Sequence, residues 1–170
     1  MFVRIAVTLT VMASALPATA QTRAYNNLRF EEDWSWLKDA EREDPFDRIK
    51  YIEFSDWANL SIGGEAQVRL EVWDGFGFNT ANDDTYLLYR MFLHGDWKLG
   101  KHFRAFTQIK YSDLTDRDLP GGKRDALDRD QIDIWNMFAE VYGKVGDVEL
   151  SARAGRQELQ FGRQRLISPL

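Results

Sequence analysis

Cysteine is absent from the 170 residues, and its absence excludes a disulfide framework, thiolate metal sites and thiol chemistry. The fold must therefore be held by burial and backbone pairing. Proline is scarce, with four residues in all. A concentrated basic face is missing too. The formal charge is −5, which argues against a nucleic-acid partner, since phosphate binding needs clustered cations. Past residue 20 no stretch approaches the ~18 apolar residues of a membrane helix. Strands are not excluded by that, because a strand that crosses a bilayer alternates its apolar residues and leaves no hydropathy peak. Catalytic signatures are also lacking: there is no GxSxG, HExxH, phosphate loop or dinucleotide fingerprint. No enzyme, cofactor or resident metal is expected. His94 and His102 lack a Cys or an acid at metal-ligand spacing. The acids Asp113, Asp116, Asp118, Asp125, Asp128 and Asp130 match no calcium loop, and Arg117, Lys123, Arg124 and Arg129 among them indicate a solvated mixed-charge loop.

What is present begins with a leader. Arg4 supplies a positive start, Ile5 to Leu16 form an apolar stretch, and Pro17 precedes Ala18-Thr19-Ala20, a small-x-small cleavage site. The apolar run is too short for a comfortable span, so residues 1–20 are expected to be a signal peptide cleaved after Ala20. Residues 21–56 form a charged lead-in on the periplasmic side, short on alternation, with Trp34, Trp36 and Leu37 among acids and bases. Two readings stand for it: a helical turn or two packing aromatics at one barrel mouth, or a surface helix.

From residue 57 the period is two. Between Leu60 and Val72 the even positions are Leu, Ile, Gly, Ala, Val, Leu and Val, while the odd ones are Ser61, Gly63, Glu65, Gln67, Arg69 and Glu71. These thirteen residues exceed the ~5–6 of an ordinary soluble strand and meet the ~9–11 needed to cross hydrocarbon. The pattern recurs at 86–99, 103–112, 133–142 and 148–157, with Asp133 on the apolar side, which makes five strands. The connections run long (73–85), short (100–102), long (113–131), short (143–147). That is the layout of an antiparallel up-and-down transmembrane β-barrel, with tight periplasmic turns and longer outer loops. On the apolar face Trp97 and Phe103 lie toward the short-turn ends, and Tyr89, Tyr111 and Trp135 toward the long-loop ends, as two aromatic girdles would. The competing architecture is a secreted soluble β-domain that binds carbohydrate on Trp57, Trp73 and Trp135.

The polar strand face carries Glu65, Arg69, Glu71, Arg90, Arg104, Lys110, Glu140, Glu149 and Arg153. Ionised groups are costly against lipid, so they are expected to line a wet interior. There they act as cross-strand ladders, as a field that selects solutes, or as both. A second cluster, Arg153, Arg156, Arg163 and Arg165, closes the sequence. Guanidinium forks bind carboxylates in bidentate fashion, so this cluster suits an acidic polymer or pairing with acids on further strands.

The segments RFEEDWSWLKD and DPFDRIKYI (Arg29 to Ile52), LSIGGEAQVRLEVW (Leu60 to Trp73) and RAGRQELQFGRQRLISP (Arg153 to Pro169) resemble proteins carrying the alginate-export domain. The likeness covers nearly the whole chain after the leader, and about the first third of such a protein. It implies an outer-membrane porin of about 16–18 strands, of which residues 57–170 are the N-terminal part. Five strands with two open edges leave backbone groups unpaired in lipid, so further strands are expected. The resemblance also implies passive passage of a hydrophilic, anionic, uronate-like saccharide. On that basis Arg69, Arg90, Arg104, Lys110, Arg153, Arg156 and Arg165 are nominated as pore-lining or solute-binding, with Glu65 and Glu71 as acidic counterparts. The implied partners are the outer-membrane bilayer, the saccharide solute and the outer-membrane assembly machinery.

Overall fold

The computed structural model describes residues 25–115, 117–118 and 129–159. Residues 1–20, expected to be a signal peptide, and the arginines Arg163 and Arg165 lie outside the described residues, as do Asp116, Asp125 and Asp128 of the loop considered for calcium. Six strands follow one another: β1 (Ile52–Ser55), β2 (Ala58–Trp73), β3 (Asp84–Leu99), β4 (Phe103–Leu114), β5 (Asp130–Val145) and β6 (Val148–Arg156). They form one antiparallel sheet in sequential order, the up-and-down topology. The five alternating segments are the five long strands. The additional strand, β1, pairs with β2 through Ile52↔Leu60 and Glu53↔Asn59. Its four residues are too few to register as alternation beside a charged lead-in.

Strand length follows from sequence pattern. β2, β3 and β5 each run 16 residues and β4 runs 12, more than the ~9–11 that span hydrocarbon. Short turns join β3 to β4 and β5 to β6, and longer connections join β2 to β3 and β4 to β5. Among the described residues no helix is long and apolar enough to cross a membrane, a statement that does not bear on strands.

Within the described residues the chain forms two compact units, and each long strand from β2 to β5 contributes to both. One unit comprises Glu65–Phe92 and described residues of Lys110–Asp133. Its core is Tyr86 and Leu114, with Trp73, Phe76 and Leu88 packed around them. The Trp73 indole donates to the Tyr86 hydroxyl at 3.0 Å, and Tyr89 stacks on Tyr111 at 6.2 Å. The other unit contains the lead-in up to Gly64, Leu93–Ile109 and the chain from Ile134 onward. Its apolar strand face is open: Leu93, Trp97, Phe103, Met137, Val141 and Leu150 are all exposed. Such a band is what a soluble sheet would cover and what lipid tolerates. Trp97 stacks on Phe54 of β1 at 5.7 Å.

The lead-in contains two 3-10 turns (Arg29–Glu31 and Ser35–Lys38) and one helical turn, α1 (Asp47–Lys50). These short pieces have no helical stripe of their own. Four irregularly spaced apolar residues, Leu28, Phe30, Trp34 and Leu37, are buried instead. They pack in two clusters: Leu28 and Phe30 against Phe106 and Phe138 of the strands, and Trp34 and Leu37 with Tyr51. Phe106 and Phe138 belong to the polar strand face, so in this unit the lead-in lies on that face.

Candidate functional site

The polar face of the second unit carries a row of alternating charges, built strand by strand. Asp96 on β3 and Arg104 on β4 stand on neighbouring strands either side of the short turn. Arg104 holds Asp96 with a two-pronged pair, Nε to Oδ1 at 2.7 Å and Nη2 to Oδ2 at 2.9 Å. On its other side Arg104 Nη1 is 3.6 Å from Glu140 Oε2 on β5. Glu140 stands directly opposite Arg153 in the β5–β6 register and accepts from its Nη2 at 3.2 and 3.1 Å. The row is therefore Asp96, Arg104, Glu140, Arg153, one residue from each of four consecutive strands, with no net charge.

This row is covered. The side chains of Asp96, Arg104 and Glu140 are 7%, 13% and 10% exposed, which is unusual for charges unless they are paired and hydrogen-bonded. The cover is Phe30 of the lead-in. Its ring meets Phe106 and Phe138 edge-on at 5.8 and 5.3 Å, and its carbonyl accepts from Arg104 Nη2 at 2.5 Å. The Arg153 guanidinium lies 4.8 Å over the Phe30 ring and 4.2 Å over that of Phe138, a cation–π arrangement that strengthens when water is excluded. Gly155, two residues on, comes so close to Phe138 and the Met137 carbonyl that a Cβ would collide with both. The glycine of the RAGR sequence is thus what lets β6 approach β5.

A second buried group lies beside the row. Glu32 accepts from Trp34 Nε1 at 3.0 Å and from Arg29 Nη1 at 2.9 Å, and lies 3.7 Å from Lys50 Nζ. The Lys50 ammonium also sits 4.6 Å over the Trp34 ring. It occupies space left by Gly63 on β2, where a Cβ would meet Lys50 Nζ and the His94 ring. Burial pushes the Lys50 ammonium below the usual lysine range, against the pull of Glu32 and helped by Arg29. His94 itself is buried and stacks on Phe106 at 5.6 Å. Further along the face, the Asn136 amide donates to Gln108 at 2.7 Å and to Glu158 at 3.1 Å, and accepts from the Glu158 backbone N–H.

The other nominated residues lie in the first unit or at the end of β6. Arg69 pairs with Glu71 two residues along the same strand at 2.7 Å. Arg90 donates to Gln67 at 2.7 Å, and Lys110 pairs with Asp130 at 2.5 Å. Glu65 and Arg156 are exposed; Arg165 lies outside the described residues. Of the nominated residues, the structure brings Arg104 and Arg153 together in the row through Glu140, and Arg69 to Glu71 on one strand. The partners of Arg104 and Arg153 that sequence reading did not nominate are Asp96, Glu140 and Phe30, with Glu32 and Lys50 buried beside them. Alternation, which puts Asp96 and Glu140 on the polar face, was a usable signal for those two; no local signal pointed to the lead-in residues. Of the three candidate sugar platforms, Trp57 is exposed at the β1–β2 turn, whereas Trp73 and Trp135 are half-buried. Among the described residues no group of three or more acids or histidines is placed to hold a metal ion.

No curated protein and no solved structure matches the chain. A family model described as alginate export matches residues 58–170, which takes in β2 to β6 and their polar face. The chain belongs to the alginate export family, whose members are outer-membrane β-barrel transport proteins rather than enzymes.

Proposed function

We propose that these strands form part of the wall of an outer-membrane channel, passing a hydrophilic solute passively along the polar face. The observation that supports this best is the sheet's two-sidedness. One face exposes Leu93, Trp97, Met137 and Leu150, while the other carries a paired row of charges. Lipid against the first and water against the second is the arrangement that costs least. The solute we propose is an anionic, uronate-like saccharide. Arg69, Arg90, Lys110, Arg156 and Arg165 would face it, with Glu65 and Glu71 tuning the field. Arg104 and Arg153 lie deeper in the wall, beneath Phe30. A leader at residues 1–20, cleaved after Ala20, and the outer-membrane assembly machinery would deliver the chain to the bilayer, with residues 21–56 entering from the periplasm.

Reconstitution of the full-length protein in planar bilayers tests this reading. Stepwise conductance that short uronate oligomers block, and that neutral oligomers of equal length block less, is the expected result. A folded protein that conducts nothing would refute the channel, and equal block by both oligomers would refute the anionic preference.

A further inference from the structure

Residues 25–51 are held as part of the wall. Three separate contacts seat them. Phe30 is stacked on Phe106 and Phe138 and its carbonyl is bonded to Arg104. Glu32 and Lys50 are buried together over Gly63. Asp33 pairs with Lys98 of β3 at 2.7 Å. A tether would bury little, whereas here Leu28, Phe30, Glu32, Trp34, Leu37 and Lys50 are all buried.

A consequence follows for what a solute meets. Over this stretch the arginines of the strands are neutralised by Asp96 and Glu140 and covered by the lead-in. The surface left outside belongs to the lead-in, which exposes five acids (Glu31, Asp33, Asp39, Glu41 and Glu43) against three bases. We propose that the lead-in is a specificity-determining insert: it is seated on the arginine row and replaces it with a surface of net negative charge. Arg104 and Arg153 then act as positioning residues for the insert. This rests on the channel reading above and qualifies it, because it makes this part of the passage favour cations and neutral solutes. Any preference for polyanions must then come from arginines elsewhere on the wall.

The test uses the full-length protein and two measurements. In planar bilayers with a KCl gradient, the triple variant Glu31→Gln, Glu41→Gln, Glu43→Gln is expected to move the reversal potential toward anion selectivity. None of the three carboxylates takes part in the seating contacts. Separately, Leu28→Cys, buried at the seat, is expected to react with a water-soluble maleimide on the order of tenfold or more slowly than exposed Glu41→Cys. An unchanged reversal potential in a conducting triple variant overturns the proposal. Equal labelling rates overturn it independently, because the insert would then not be seated. A folded protein that conducts nothing removes the channel reading and this specificity role together, and slow labelling of Leu28→Cys would still mark the seat as real. The outcomes are therefore distinguishable.

Discussion

Arg104 and Arg69 both stand on the polar face of the sheet and both pair with carboxylates, yet their surroundings differ. Arg104 is 13% exposed, touches two acids from neighbouring strands and donates to a backbone carbonyl 74 residues away in sequence. Arg69 is 50% exposed and pairs with Glu71 on its own strand. Coulomb attraction is weak in water and strong where water is excluded, but exclusion also imposes a desolvation cost that only complete pairing offsets. The ion pairs in the two units, built from the same residue types, therefore have different consequences. In one they cross-link strands and seat a segment; in the other Arg69 and Glu71 pair along one strand, and Lys110 and Asp130 link β4 to β5 without seating a further segment.

The largest separation is expected at Arg104. Arg104→Met leaves Asp96 and Glu140 buried without their shared partner and should cost about 3–5 kcal/mol, read as a lower urea midpoint for the heat-modifiable folded form. Phe30→Ala removes the ring that covers the row and should cost on the order of 3 kcal/mol. Its effect should fall on the lead-in, as faster labelling of Leu28→Cys with little change in strand stability. Val68→Arg, on the apolar face of β2 where Val68 is exposed, should hinder membrane assembly by about 2–4 kcal/mol if it lies near the bilayer midplane. Normal assembly of that variant would reverse the assignment of the two faces. Arg69→Gln should change stability by less than about 1 kcal/mol. A loss there as large as at Arg104 would abolish the contrast between the two units.

The smallest effect is a pH dependence. Burial lowers the Lys50 pKa in the folded protein, so above that value the unfolded chain binds the proton more tightly than the folded one. The contribution of Lys50 to stability should therefore rise with pH until the ordinary lysine range, about 10.4, is reached. Seating of the lead-in, followed by labelling of Leu28→Cys, should tighten over that window in the parent protein and not in a Lys50→Met background.

Much of this architecture is legible in the sequence. Unbroken alternation from Leu60 to Val72 placed β2 and its two faces, and the short turns at 100–102 and 143–147 placed the hairpins. Alternation puts Asp96, Arg104, Glu140 and Arg153 on one face, while their pairing depends on the register that the folded strands adopt, with Glu140 opposite Arg153. The nomination of arginines as a set was less discriminating. Charge and alternation say which face a side chain takes, and every arginine on that face looks alike by that measure. The strand β1 escaped notice because four residues carry too little periodicity.

Alternation and turn length are local properties of the chain. A strand's faces and its pairing with the next strand are dictated within about twenty residues, so the all-β, up-and-down layout could be read directly. Whether a charge on that face is solvated or sealed depends on what folds over it. Phe30 reaches the row, and Glu32 and Lys50 are buried beside it, from a segment with no period, through contacts whose ring-to-ring and ion-pair geometry has no trace in residue spacing. The folded structure alone separates Arg104 and Arg153, paired beneath the lead-in, from the other arginines of that face, because the free energy of a buried ion pair depends on its three-dimensional surroundings.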